Sequence, residues 1–306
     1  MQHVFIHEVV TRDGFQIEHR FIPTERKIEL IDALSDAGPA KIEVTSFVSP
    51  KAVPNLRDAE LVMAGIRRNP SVKYVALIAN VKGVERAIAA RVDEVNLVVS
   101  VSETHNRANV RRSTAASFEG FREIVRALDG TGIAVTGALS TAFGCPFEGE
   151  QAPGRVMQFV ARYVDVGVDC VTLADTTGMA HPRQVLALCM EVRERWPELD
   201  LALHFHNTRG MGLANVLSGL AAGIQRYEAC LGGLGGCPFA PGATGNICTE
   251  DLVHMLEGME YHTGVDLDKL LAASRRLGAI VDHDLPGQVV KAGKSTDLHP
   301  APEGIA

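Results

Sequence analysis

Short, near-continuous apolar runs alternate along the chain with segments whose apolar residues recur at helical spacing. The extended runs fall at residues 4–10, 41–47, 73–79, 94–101, 133–140, 170–175, 201–207 and 226–231. The helical patterns fall at 24–37, 58–68, 84–91, 114–128, 154–166, 182–195, 212–223 and 246–259. Unbroken Val/Ile/Leu runs joined by helices predict a parallel sheet covered on both faces. Eight such units predict an α/β fold closed into a (β/α)8 TIM barrel; six or seven would fit an open doubly wound sheet equally well. Helix-end signals agree, since Ala37-Gly38 closes the first helix and His181-Pro182 opens the sixth with proline in its first turn. Residues 266–280 predict an additional C-terminal helix. The expected organisation is one barrel domain over residues 1–290 and a polar C-terminal tail over 291–306.

Charge and cysteine usage narrow the function classes. A formal charge of −7 argues against a nucleic-acid or membrane-surface partner, because such binding needs a basic face. No apolar run approaches the ~18–20 residues of a membrane span. Met1-Gln2-His3-Val4-Phe5-Ile6 lacks a basic region followed by an apolar one, so a cytoplasmic location is expected. The cysteines at 145, 170, 189, 230, 237 and 248 form no C-x-x-C pair, so free thiols are expected. Cys145 and Cys237 stand apart from the others, each in a Gly-Cys-Pro-Phe loop.

In a barrel of this kind the chemistry sits at the C-terminal ends of the strands, where the βα loops converge. His204 and His206 lie two apart in an apolar extended run, so both rings project to one face, their Cα atoms roughly 6–7 Å apart. One buried histidine is ordinarily a core residue; two on one face point to a divalent metal. Barrel closure makes strands seven, eight and one neighbours, which brings Asp13 and Asn246 to the histidine pair. One carboxylate, two imidazoles and an amide oxygen suit a six-coordinate divalent ion with about two positions left for substrate. Taken singly, Asp13 could cap a turn and Asn246 could be the N-cap of the last barrel helix. Arg12, beside Asp13, either neutralises charge or aims its guanidinium at a developing oxyanion. Glu43 on the second strand and Asp175 at the end of the sixth fall at the same rim. The glycine-rich segment 232–245 lacks the Lys-Ser/Thr ending of a P-loop and fits a mobile flap carrying Cys237 over the site.

These residues resemble the 3-hydroxy-3-methylglutaryl-CoA lyase family, metal-dependent barrels related to the isopropylmalate and homocitrate synthases. The resemblance rests on Arg12-Asp13-Gly14, on Ile42-Glu43-Val44-Thr45-Ser46-Phe47-Val48-Ser49-Pro50-Lys51 and on Phe143-Gly144-Cys145-Pro146-Phe147-Glu148-Gly149. It rests also on His204-x-His206 and on Gly235-Gly236-Cys237-Pro238-Phe239-Ala240, the cysteine loop being the specific part. It implies cleavage of a 3-hydroxyacyl-CoA between Cα and Cβ to acetyl-CoA and a keto acid, with a place in leucine degradation. It further implies Asp13, His204, His206 and Asn246 as metal ligands, Arg12 as the enolate stabiliser and Cys237 as the loop cysteine that closes over substrate. Glu43 and Asp175 match acidic residues of the active site, and Gln16 is expected to contact substrate. His204 and Asp13 are both open as the base.

The ligand set suits magnesium or manganese and tolerates zinc or cobalt. The expected partner is an acyl-CoA, and a homodimer or higher homo-oligomer is the base-rate assembly. Thr11, His19, Ala174, Asn207 and Arg209 depart from the lyase pattern, and they leave another 3-hydroxyacyl-CoA, such as citramalyl-CoA, open as substrate. Three rivals share part of the pattern: a Claisen-type acyl-CoA condensing enzyme, a pyruvate-type metal aldolase, and a barrel without activity used for binding.

Overall fold

A computed structural model describes residues 2–236 and 244–300 of the chain. Its parallel strands are β1 (Phe5–Glu8), β2 (Lys41–Ser46), β3 (Lys73–Leu77), β4 (Glu94–Ser100), β5 (Ala134–Ser140), β6 (Cys170–Asp175), β7 (Asp200–Phe205) and β8 (Arg226–Ala229). They pair in the order β1-β8-β7-β6-β5-β4-β3-β2 and close on themselves, which is the TIM barrel expected from the alternating pattern. Closure is direct: His7 stands opposite Glu228 on one side of β1 and opposite Lys41 on the other.

The connecting helices are α1 (Thr24–Ala37), α2 (Ala59–Gly65), α3 (Val81–Ala89), α4 (Glu103–Val110), α5 (Thr114–Leu128), α6 (Pro153–Val166), α7 (Pro182–Arg195), α8 (Gly212–Ala221) and α9 (Thr249–Gly258). The expected extra helix is α10 (Leu267–Val281), and a short α11 (Val289–Ala292) follows. Local chemistry sets their ends. Helix α1 stops at Gly38, whose φ of 85° is the left-handed conformation that a glycine adopts without a Cβ penalty. The side chain of His181 accepts from Gln184 N as α7 begins at Pro182. The Ser113 and Asp266 side chains cap α5 and α10 in the same way.

The core lies between the barrel and its helices, where Val, Ile and Leu of the strands meet the inner faces of the helices. Tyr163 of α6 shows how close this packing is. Its hydroxyl donates to Leu97 O at 2.7 Å, and a Cβ at Gly137 of β5 would come within 2.5 Å of its ring.

Three local elements differ from the pattern-based expectation, and the first is the end of β1, where the expected strand over 4–10 gives way at Val10 to a π-helical turn. Helix α4 was not anticipated, because Glu-Thr-His-Asn-Arg-Ala-Asn-Val carries no apolar stripe; Ser102, whose side chain accepts from His105 N, starts it. Helix α9 begins at Thr249 and not at Asn246, because Asn246 and Cys248 are engaged in bridges to His206 and Cys230. Asn246 is therefore not a helix cap.

Candidate metal centre and active site

The chain leaves β1 in a single five-residue π-helical turn, Val10–Gly14, every residue of which is buried. Glu8 anchors that turn. Its Oε1 accepts from Val10 N at 2.8 Å and from Leu231 N at 2.9 Å, and its Oε2 accepts from Thr249 Oγ1 at 2.7 Å. One buried carboxylate thus ties the first βα turn to the segment after β8. Burial pushes the Glu8 carboxyl up to about 7.

The turn delivers Arg12 and Asp13 to the barrel mouth. Arg12 donates through Nε to Glu43 Oε2 and through Nη1 to Asp13 Oδ1. Its Nη2 has no partner among the described residues. Burial alone would lower the guanidinium pKa, but Glu43 and Asp13 outweigh it and hold Arg12 charged. Glu43 is itself fixed by Asn96, whose Nδ2 donates to Oε1 at 3.1 Å. Gln16 Nε2 donates to Asp13 Oδ1 at 3.3 Å, which places Gln16 against a candidate ligand.

His204 is the penultimate residue of β7, and His206 follows its last residue in an isolated bridge to Asn246. Backbone bonds from Ile247 N to Phe205 O (2.9 Å) and from Asn207 N to Gly245 O (2.8 Å) bind the two segments together. The ring Nε2 atoms of His204 and His206 are 3.1 Å apart. Asp13, His204 and His206 are buried and offer ligand atoms all within 4.8 Å of one another. Asn246 Nδ2 donates to Asp13 Oδ2 at 2.8 Å and to Leu234 O at 2.9 Å, while its Oδ1 is buried without a partner among the described residues. Gly235, at φ 96°, borders this group; a Cβ there would sit 2.5 Å from Asn246 Nδ2 and 3.0 Å from Asp13 Oδ2.

These donors fit a divalent cation. Two imidazole nitrogens each about 2.0–2.1 Å from one ion, at a right angle, stand roughly 3 Å apart, which matches the observed pair. The unpartnered buried Asn246 oxygen is the kind of atom an ion would satisfy. The protonation states of Asp13 and His206 favour the same reading, whereas at His204 burial is outweighed by the bond to Glu228, which raises its pKa. Burial opposes charge on Asp13, but Arg12 first and then His204 and His206 hold its carboxyl down at about 2. Burial lowers His206 to about 3, so that ring is neutral and able to ligate.

Asp175 closes β6. Its Oδ1 accepts from Met179 N at 2.8 Å, its Oδ2 is buried without a partner, and burial raises its carboxyl to about 6. The structure therefore brings Arg12, Asp13, Gln16, Glu43 and Asn246 into one hydrogen-bonded cluster, with His204 and His206 beside Asp13. Cys237 lies outside the described residues.

One residue of the site was missed from sequence. Glu228 of β8 lies 2.9 Å from His204 Nδ1 through Oε2 and accepts from Thr172 Oγ1 at 2.9 Å through Oε1. A charged residue inside a short strand beside the histidine strand was the available signal, but its face depends on a register the sequence does not reveal. Burial works against the Glu228 charge, yet the bond to His204 brings its carboxyl down to about 2.

Fold and site together define a (β/α)8-barrel enzyme with a buried Asp/His/His cluster that could hold a metal ion. The HMGL-like family model matches residues 3–277. The (R)-citramalyl-CoA lyase of Chloroflexus aurantiacus is 41% identical over 303 residues, covering 96% of each chain. A hydroxymethylglutaryl-CoA lyase of Bacillus subtilis is 41% identical over 293 residues, covering 96% of this chain and 98% of that one. Among solved structures, an HMG-CoA lyase from A. baumannii in complex with coenzyme A and 3-methylmalate superposes with a TM-score of 0.94 at 53% identity, over 98% of both chains. The chain belongs to the HMGL-like family. It is a carbon–carbon lyase, as the sequence resemblance implied. Among the described residues no helix is long and apolar enough to cross a membrane.

Proposed function

We propose that this enzyme cleaves the Cα–Cβ bond of 3-hydroxy-3-methylglutaryl-CoA, or a close 3-hydroxyacyl-CoA analogue, to acetyl-CoA and a keto acid. The observation that carries the reading is the convergence of Asp13, His204 and His206 beside a buried, charged Arg12. Asp13, His204, His206 and Asn246 are assigned as the ligands of one divalent ion, magnesium or manganese. Such an ion, when bound, acts as a Lewis acid that makes an adjacent hydroxyl more acidic.

The remaining work falls to side chains. Asp13 is assigned to take the proton of the substrate's 3-hydroxyl, because both ring nitrogens of His204 are engaged, and the electron pair of the new carbonyl comes from the O–H bond. The Cα–Cβ bond breaks with its electrons moving onto the thioester as an enolate. Arg12 is assigned to receive that oxygen through Nη2, which has no partner among the described residues, a preorganised donor of the kind that supplies a large part of many rate enhancements. Its bonds to Glu43 and Asp13 keep the guanidinium from rotating. Cys237 returns a proton to the carbon and yields acetyl-CoA. Gln16 and Asp175 are assigned to contact with the acyl group.

Citramalyl-CoA is the second reading, favoured by the C. aurantiacus relative and by Thr11, Asn207 and Arg209 at the rim. A panel of 3-hydroxyacyl-CoA thioesters assayed for acetyl-CoA release decides. The reading expects 3-hydroxy-3-methylglutaryl-CoA to give the highest kcat/KM. A clear preference for citramalyl-CoA transfers the assignment to it, and no acetyl-CoA from any thioester overturns both.

A further inference from the structure

Thr172, His204 and Glu228 lie on three consecutive strands, β6, β7 and β8, and all three are buried inside the barrel. Thr172 Oγ1 donates to Glu228 Oε1 at 2.9 Å, and Glu228 Oε2 stands 2.9 Å from His204 Nδ1. We infer that Glu228, held by Thr172, is a positioning residue that fixes His204 as its Nδ1–H tautomer and so presents Nε2 to the metal site. The inference rests on the reading of Asp13, His204 and His206 as ligands.

The argument is one of donors and acceptors. An ionised carboxylate only accepts, so the ring nitrogen facing it carries the hydrogen. The other nitrogen, Nε2, is then the ligating atom, and it is the one 3.1 Å from His206 Nε2. With Oε1 held by Thr172, the carboxylate cannot swing away from the ring without losing a buried bond. His206 has no such support among the described residues, because its Nδ1 is buried without a partner there and its ring is placed by the bridge to Asn246. The two histidines are therefore unequal: the protein orients His204 in advance, whereas the orientation of His206 is left to the chain around it. Partners of this type are typically worth about 10–100-fold in metal affinity.

The test uses the full chain, metal-free, with two readouts that need no turnover. In ring-15N histidine spectra at alkaline pH, His204 should carry its proton on Nδ1, and Glu228→Ala should move it to Nε2. In a Mn2+ titration followed by the EPR signal of the free ion, Glu228→Ala should weaken binding by about 10–100-fold. Thr172→Val should weaken it several-fold, and Glu228→Gln, whose amide oxygen can still accept from Nδ1, should recover most of the affinity. An unchanged His204 tautomer in Glu228→Ala, or wild-type Mn2+ affinity in both Glu228→Ala and Thr172→Val, overturns the inference. Should Glu228→Ala not fold, Thr172→Val decides alone, because it keeps side-chain shape and removes only the hydroxyl. Mn2+ binding that survives Asp13→Ala would instead overturn the ligand assignment, leaving the tautomer result to stand separately.

Discussion

The two ends of the barrel interior both bury charge, and they handle it differently. At the N-terminal floor, Lys41 Nζ donates to both oxygens of Glu94, 2.6 Å to Oε1, and Thr136 Oγ1 donates to the same oxygen at 3.3 Å. Charge there is matched by charge. At the C-terminal rim, Arg12, Asp13 and Glu43 are equally tightly bonded, yet Asn246 Oδ1, His206 Nδ1 and Asp175 Oδ2 are buried without partners among the described residues. A buried polar atom left unsatisfied costs about 1–3 kcal/mol, and it persists where something else is meant to meet it. A buried ion pair by itself says little about function. Unmet atoms occur elsewhere too, His3 Nδ1 before β1 among them, so it is the gathering of three at the C-terminal ends of the strands, with the Asp13, His204 and His206 donors, that marks the working end of this barrel.

Breaking the rim should abolish activity and spare the fold. Asp13→Ala or His204→Ala is expected to eliminate metal-dependent acetyl-CoA release, with near-native circular dichroism; full activity in either variant, assayed after exhaustive chelation, contradicts the assignment. Arg12→Gln should lower kcat by about 10²–10³-fold with a smaller change in KM, the pattern of an interaction made in the transition state. A rise in KM alone would make Arg12 a binding residue.

Breaking the floor should do the reverse. Lys41→Met leaves Glu94 buried without its cation, and denaturant unfolding should show a loss of about 3 kcal/mol, with kcat changed by less than a few-fold. If activity collapses while stability holds, the division of the barrel into two ends fails.

The smallest expected effect concerns Asp175. Its carboxyl is raised from 3.8 to about 6 by burial, so the folded state holds a proton that the unfolded state has released across that interval. Stability of the metal-free protein should therefore fall as pH rises from about 4 to about 6, by at most about 1.4 kcal/mol per pH unit from this group. Asp175→Asn, which replaces the unpartnered oxygen with an amide, should flatten that slope. An unchanged slope would show that the group titrates normally.

Much of this is legible in the sequence. Residues 24–37, 114–128, 170–175 and 182–195 were bounded to the residue, because their apolar periodicity and end signals are unambiguous. The histidine pair and Asp13 were legible because closure of eight strands fixes which strands are neighbours. Helix α4 was not, since its eight residues carry no apolar stripe and only its cap announces it. Nor was the π-helical turn at Val10–Gly14, which depends on a carboxylate from Glu8 reaching both Val10 N and, across the barrel seam, Leu231 N. Glu228 escaped for the same reason: a strand pattern says that alternate residues share a face, but only the register says which histidine they meet.

Equilibrium dialysis against Mn2+ compares the two ends in one experiment. The rim account predicts one ion per chain in the wild type and in Lys41→Met, and none in Asp13→Ala at the same free Mn2+. Stoichiometric binding in Asp13→Ala, or none in the wild type, would contradict it.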